Sequence, residues 1–239
     1  MSVEINGPRI LCYLFGNKHL PVTETMRNAW IVMAFILFLC LFLTHHMQKI
    51  PKGKQALAEK TVIMIENLVD NTMGGGCRAF APYIAALLAS SLFGSLASLF
   101  WMRPVTADLN TTLGWALITL VLITYNKIKF SGIKGYLKGF LEPVFVMAPL
   151  NVLSEVATPV SMSFRHFGNL AGGLVISTLI LGALEVLSHA LLGFLPVPLL
   201  QIGLPGILSL YFDCFTACMQ AFIFSMLTMV YVGDARRSS

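Results

Sequence analysis

Charge is scarce in this chain. Asp, Glu, Lys and Arg make up only 11% of its 239 residues, against 56% for the hydrophobic types. A soluble domain of this length wraps its core in a polar shell, and a mean hydropathy of +0.78 leaves too little to build one. Acidic residues are the scarcer kind, 11 against 16 basic ones, for a net charge of +5. The lysines, however, gather in short segments between apolar runs, so they speak for membrane topology and against a nucleic-acid surface. Phosphate loops, nucleophile–base constellations and metal-ligand spacings are missing, so neither a free-standing enzyme nor a cofactor is expected. The five cysteines, Cys12, Cys40, Cys77, Cys214 and Cys218, form no ligand pattern. Cys214 and Cys218 stand one turn apart without a histidine or second thiol pair, and all five are expected to be small buried hydrophobes. No internal repeat is visible. A cleavable signal peptide is not expected either, because the first apolar run starts near Ala29, behind the polar Glu24, Thr25 and Arg27.

What is present is a series of apolar runs of bilayer length. Residues 1–28 read as an extracytoplasmic amino-terminal segment and 29–46 as a first span, ending at His45 and His46. Lys49, Lys52, Lys54 and Lys60 follow at once and place the next segment in the cytoplasm. Over 55–73, Leu57, Val62, Ile65, Leu68 and Val69 recur at helical spacing among Glu59, Lys60, Glu66 and Asp70, which predicts an amphipathic helix on the cytoplasmic surface, broken by Gly74, Gly75 and Gly76. Spans at 79–101 and 111–126 flank an outer turn containing Pro104 and Asp108. Lys127, Lys129, Lys134 and Lys138 then mark a second cytoplasmic loop, relieved by Gly132, Gly135 and Gly139. The two lysine clusters put the amino terminus outside, outweighing Arg9, Lys18 and Arg27.

Residues 143–192 are almost continuously apolar. As one helix they would run about 75 Å, more than twice the roughly 30 Å hydrocarbon thickness. They therefore form either two spans with a turn near Arg165 or one long, strongly tilted element. Parity favours the second, since a single crossing brings Arg236 and Arg237 into the cytoplasm, with an outer turn near 193–198 and a returning element over 198–232. The fold class expected is an all-α integral membrane protein: one membrane domain over 1–239, with upright transmembrane helices, a surface amphipathic helix and a long tilted carboxyl-terminal helical hairpin.

Within that hairpin stands Arg165. An arginine at bilayer depth costs roughly 3 kcal/mol on insertion scales and marks a functional site by default. Snorkelling to a headgroup is the alternative, but more than twenty residues separate Arg165 from either polar loop. A guanidinium of side-chain pKa about 12.5 or higher is a fixed positive charge, poor as a relay and good as a barrier, and it favours the ionised form of a neighbouring acid. Gly168, Gly172 and Gly173 leave the helix nearly bare beside it, open to close approach by another helix. Glu155, Glu185 and Asp213 are the carboxylates in apolar stretches, each a candidate proton stop. Asp213 and Gln220, seven residues apart, would share a helical face, as would Asn151 and Glu155, one turn apart. His189 is either a titrating relay or a cap on the outer turn; Glu185, one turn away, could pair with it. His166 is expected to face away from Arg165, and Asp108 is a further candidate relay at the outer turn.

The run Pro159-Val160-Ser161-Met162-Ser163-Phe164-Arg165-His166-Phe167-Gly168-Asn169 resembles the arginine motif of subunit a of F-type ATP synthases. Two further blocks resemble the same family: Pro104 through Thr112, and Gln220-Ala221-Phe222-Ile223-Phe224 through Val230-Tyr231-Val232. The resemblance covers most of the chain from Ala29 onward. It implies a proton-conducting stator subunit in a bacterial plasma membrane, partnered by a ring of c subunits, the subunit b peripheral stalk, other synthase subunits and lipid, with ATP chemistry on other chains. Arg165 matches the family's essential arginine, set between two aqueous half-channels. Asn169 and Gln220 match its polar neighbours at the ring, Asp213 the outer half-channel, and Glu155 the inner one. The sequence departs from some relatives at Leu174, where they carry an acid or histidine, and Glu185 with His189 could compensate. A sodium-translocating version of the subunit and a secondary transporter are the alternatives; the transporter would need internal repeats around a midplane pocket.

Overall fold

The computed structural model describes residues 10–13, 21–45, 47–100, 102–141, 145–191 and 210–237. A small antiparallel pair, β1 (Ile10–Tyr13) and β2 (Pro21–Thr23), leads directly into α1 (Glu24–Thr44). Thr23 caps α1, its hydroxyl accepting from the Met26 N–H at 3.4 Å, so the helix begins before the first apolar run and takes polar Thr25 and Asn28 inside it. Both are buried, while Trp30, Met33, Leu37, Phe38 and Leu41 are exposed around the rest of the helix. An apolar helix with so little of its girth covered by protein is one solvated by lipid.

α2 (Lys54–Met73) starts after Gly53 (φ +56) and stops at Gly74 (φ +91), two positive-φ positions that glycine tolerates at no steric cost. α3 (Ala81–Leu96) has proline in its first turn and a 3₁₀ turn at each end, Arg78–Phe80 and Ala97–Phe100. α4 (Leu109–Leu141) runs on through Lys127, Lys129, Lys134 and Lys138, bending at Gly132 (φ +70). The segment read from sequence as a lysine-rich loop is thus helical. It is interrupted once, at Gly132, whose φ of +70 and ψ of 165 lie outside the helical region, so two helical segments meet there at a kink, and α4 packs against α5.

α5 (Ala148–Leu191) is a single 44-residue helix, continuous through Arg165. Of the two sequence alternatives, the turn at Arg165 is absent, and the helix would be about 66 Å long. Pro159 lies inside it and has no N–H to give, so the carbonyl of Glu155 loses its helical donor. A π-helical turn over Leu210–Phe215 precedes α6 (Thr216–Arg237). The architecture is all-α, and α1, the α3 region, α4, α5 and α6 are long and apolar enough to cross a membrane.

The main core joins α2, α3, α4 and α6 through Val69, Met73, Ile84, Ile123, Met229 and Val232. Gly233 permits the closest approach in it, since a Cβ there would meet the Met73 Cα at 3.1 Å. A second cluster, Leu87, Met162 and Phe224, ties α3 and α6 to the middle of α5. Of the five cysteines only Cys77 is buried; Cys12, Cys40 and Cys218 are exposed and Cys214 half-buried. The expectation of five buried thiols fails because an apolar run in a membrane helix faces lipid as readily as core.

Candidate functional site

The middle of α5 is held by polar contacts to three helices. Ser163 Oγ donates to Thr112 Oγ1 of α4 at 3.0 Å, His166 Nε2 lies 3.3 Å from Ser91 Oγ of α3, and Asn169 Nδ2 donates to Gln220 Oε1 of α6 at 2.9 Å. In lipid, where apolar surface gives no net drive to associate, each such contact is worth about 0.6–2 kcal/mol. The His166 ring is also clamped edge-on by Trp115 and Phe224, at centroid separations of 6.1 and 5.5 Å. Ser163 and His166 are fully buried, and together these contacts fix the rotation of α5 about its axis.

One residue turns the helix by about 100°, so burying His166 sends its neighbour elsewhere. Phe164 and Arg165 are exposed. Among the described residues, the Arg165 guanidinium has no hydrogen bond or ion pair. The glycines beyond it look into open space among the described residues, where a Cβ at Gly168, Gly172 or Gly173 would meet nothing within 4 Å. The arginine lies about 26 Å along the helix from Ala148 and farther from Leu191. Among the described residues, the result is a cation without a counter-charge on a bare helical face.

Glu155 lies toward the other end of α5, about 15 Å along the axis from Arg165. Its carboxylate pairs with Lys127 Nζ at 3.1 Å through Oε2 and accepts from the Tyr136 hydroxyl at 3.3 Å through Oε1. Asn151, one turn earlier, donates from Nδ2 to the Phe140 carbonyl at 3.0 Å. These side chains line a cavity of about 610 Å³ between α4, α5 and α6, which Thr158 and Asp234 also border. Asn151 and Glu155 therefore do meet in one site, and Asn169 and Gln220 in another, with Arg165 one helical turn before Asn169. A narrow crevice bordered by Ser95, His166, Asn169, Thr216 and Gln220 adjoins the second.

Asp108 is engaged otherwise. It caps α4, accepting from the Asn110 N–H at 3.0 Å through one oxygen and from the Thr25 hydroxyl at 2.8 Å through the other. The side chains of Glu185, His189, Asp213 and Leu174 lie outside the described residues. The backbone at Asp213 belongs to the π-helical turn, so its seven-residue spacing from Gln220 does not translate into a shared α-helical face.

Sequence reasoning missed Lys127, Tyr136, Ser91 and the inward role of His166. Lys127 resembled its cytoplasmic neighbours, and its acid is 28 residues away on another helix, so no local spacing announces the pair. Ser91 and Ser95 could have been found, as two hydroxyls one turn apart in an apolar helix; both are buried, and Ser95 bonds Thr106 at 2.8 Å.

A family model described as ATP synthase A chain matches residues 26–233. Among curated proteins, the sodium ion specific ATP synthase subunit a of Propionigenium modestum is 33% identical, over 97% of this chain and 87% of that protein. ATP synthase subunit a of Moorella thermoacetica is 30% identical over 92% of this chain and 94% of its own length. The subunit a of Trichlorobacter lovleyi is 33% identical, covering 89% of each chain.

Proposed function

The chain belongs to the ATP synthase A chain family, and from that premise we propose that it is the ion-translocating stator subunit of an F-type ATP synthase, coupling ion flow to rotation of a c ring through Arg165. The observation that carries the reading is the exposed Arg165 guanidinium, which lacks an anionic partner among the described residues. A cation left so in hydrocarbon costs roughly 3 kcal/mol. A carboxylate brought to 4 Å by another subunit gives about 4 kcal/mol at an effective dielectric constant of 20, enough to offset that cost. A ring of subunits with one acid each supplies such partners in succession, and the open face at Gly168, Gly172 and Gly173 gives them room.

The cavity around Glu155 and Asn151 serves as the inner half-channel, and the region of Asp213, Glu185 and His189 as the outer one. A ring carboxylate loses its proton to one half-channel, passes Arg165 as an anion, and takes a proton from the other. It then travels round through lipid uncharged. Arg165 cannot release a proton itself, so it bars direct flow between the two channels. Asn169 and Gln220 hold the polar rim of the passage at the ring. ATP chemistry takes place on other subunits, and the subunit b stalk braces this chain against the torque. We place it in a bacterial plasma membrane, amino terminus outside and carboxyl terminus in the cytoplasm, with α5 and α6 as a tilted hairpin.

The test is ATP-driven proton pumping in inverted vesicles carrying Arg165→Ala. Pumping is expected to vanish while the uncoupled soluble head still hydrolyses ATP; undiminished coupled pumping refutes the role. The similarity to a sodium ion specific relative favours a second version, in which the same geometry carries sodium.

A further inference from the structure

We propose that Asp234 is the capture charge of the inner cavity: its exposed carboxylate leaves the cavity net negative and draws the coupling cation in from the cytoplasm. The inference rests on the reading of this cavity as the inner half-channel, and it holds for protons and sodium alike.

The charged side chains lining the cavity are Lys127, Glu155 and Asp234. Two of them cancel. Lys127 Nζ meets Glu155 Oε2 at 3.1 Å, and the Glu155 side chain is only 10% exposed, so the pair presents no net charge to the space beside it. Asp234 stands near the end of α6 and is exposed. Among the described residues, its carboxylate has no hydrogen bond or ion pair. One lysine against two acids thus leaves the lining with a single negative charge, and it resides on Asp234. The neighbouring elements do not neutralise it. Arg236 is turned aside, donating to Cys77 Sγ with its guanidinium 5.0 Å from the centre of the Phe130 ring. α2 and α3 meet α6 through Met73 and Leu87, which bring no charge, and Asp70 of α2 is paired with Arg78 at 2.8 Å. Tyr136 of α4 and Tyr231 of α6, also on the lining, bring phenol groups only.

One such charge has a predictable effect. At about 7 Å in water it attracts a monovalent cation by about 0.6 kcal/mol, which raises the local concentration about threefold. Protein walls of low dielectric constant focus the field and add to it. Because the carboxylate is exposed, a captured cation keeps most of its water and leaves again readily, as conduction requires. A hydronium either passes intact or lends its proton to an Asp234 oxygen, leaving water, and the carboxyl group returns that proton to the next water inward. The attraction acts on charge alone. It speeds entry without choosing between ions, and that choice lies with the ring carboxylate.

The experiment uses the complete synthase in inverted vesicles, where the cavity faces the medium. Initial rates of ATP-driven pumping are titrated with protons in sodium-free choline buffer and with sodium at fixed pH, for the native enzyme, Asp234→Glu, Asp234→Asn, Asp234→Lys and Arg165→Ala. The ion that saturates the native enzyme is the one read. Asp234→Glu is expected to keep the native half-saturating concentration, Asp234→Asn to raise it about threefold and Asp234→Lys about tenfold, the same factor for each unit of charge. The shift falls on half-saturation and not on the maximal rate. In about 1 M choline chloride, where the screening length is about 3 Å, the curves are expected to converge. A loss caused by altered packing would follow neither the charge nor the salt. Native half-saturation in Asp234→Asn, or a shift that survives the salt, overturns the proposal. If Asp234→Lys does not assemble, Asp234→Asn against Asp234→Glu still decides. Arg165→Ala separates the two readings: coupled pumping by that variant refutes the stator role itself, whereas the titrations bear on Asp234 alone.

Discussion

Gly172→Leu separates what holds this chain together from what it does. Among the described residues, nothing lies within 4 Å of a Cβ at position 172 apart from the helix itself, so the new side chain displaces no neighbour among them. Glycine is also the poorer helix former, by about 1 kcal/mol relative to alanine and by nearly as much relative to leucine. The variant should therefore insert, fold and resist heating in detergent at least as well as the native chain. Its effect falls on whatever approaches the bare face two turns beyond Arg165. A leucine there adds a four-carbon side chain, which would force a close-packed helix pair apart, and overpacking of that kind costs typically 1–3 kcal/mol. The contact between Arg165 and a ring carboxylate weakens steeply with separation. We expect ATP-driven pumping to fall at least about tenfold, the equivalent of about 1.4 kcal/mol, while the amount and thermal stability of the isolated chain stay unchanged. Pumping and stability are read from the same membranes, by fluorescence quenching in vesicles and by thermal aggregation of the solubilised chain. Native pumping in a stable Gly172→Leu chain would mean that no rotor helix comes near this face, and the placement of the ring would fall with it.

Two further variants report on the packing. Gly233→Leu is expected to destabilise the chain by about 1–3 kcal/mol, because a Cβ there already presses on the Met73 backbone, and a melting curve in detergent reads it directly. His166→Leu removes the contact with Ser91; combined with Ser91→Ala, it should show a coupling energy of about 0.6 kcal/mol in a double-mutant cycle of unfolding, whereas strictly additive effects would mean the 3.3 Å contact carries no energy.

The sequence exposed those features that depend on neighbours along one helix. Apolar length announced the membrane class, and the arginine in hydrocarbon announced itself by its cost. The positions of Asn151 and Glu155 on a shared face followed from periodicity alone. Features that depend on contacts between helices stayed hidden. Lys127 could not be told from Lys129 or Lys134 until α4 and α5 were seen side by side, with Glu155 at 3.1 Å. Asp108 looked like a relay because it was an acid near a membrane surface; its cap and its bond to Thr25 account for both carboxylate oxygens. The face shared by Asp213 and Gln220 assumed uniform α-helical winding, and the π-helical turn at Leu210–Phe215 removes that assumption.

The separation of Glu155 from Arg165 explains why such a chain would need a rotor at all. They are about 15 Å apart along α5, and a proton hop spans about 3 Å, so no direct transfer links them. Between them Met162 and Ser163 are buried in contacts to other helices and Val156 and Phe164 are exposed hydrocarbon; the two remaining hydroxyls, on Thr158 and Ser161, are about 4.5 Å apart along the axis and about 6 Å short of Arg165, each step longer than one hop. On the far side of Arg165, the Asn169 amide nitrogen donates to the Gln220 amide oxygen. On the proposed function, an ion that reaches Glu155 from one side meets a largely apolar stretch of α5 and then a fixed cation, and goes on by leaving this chain for a carrier outside it. A carboxylate on a moving neighbour is such a carrier, neutral when loaded and drawn to Arg165 when empty. On that reading, the same stretch that would make the chain a poor channel alone would make every ion that crosses do so by displacing the carrier.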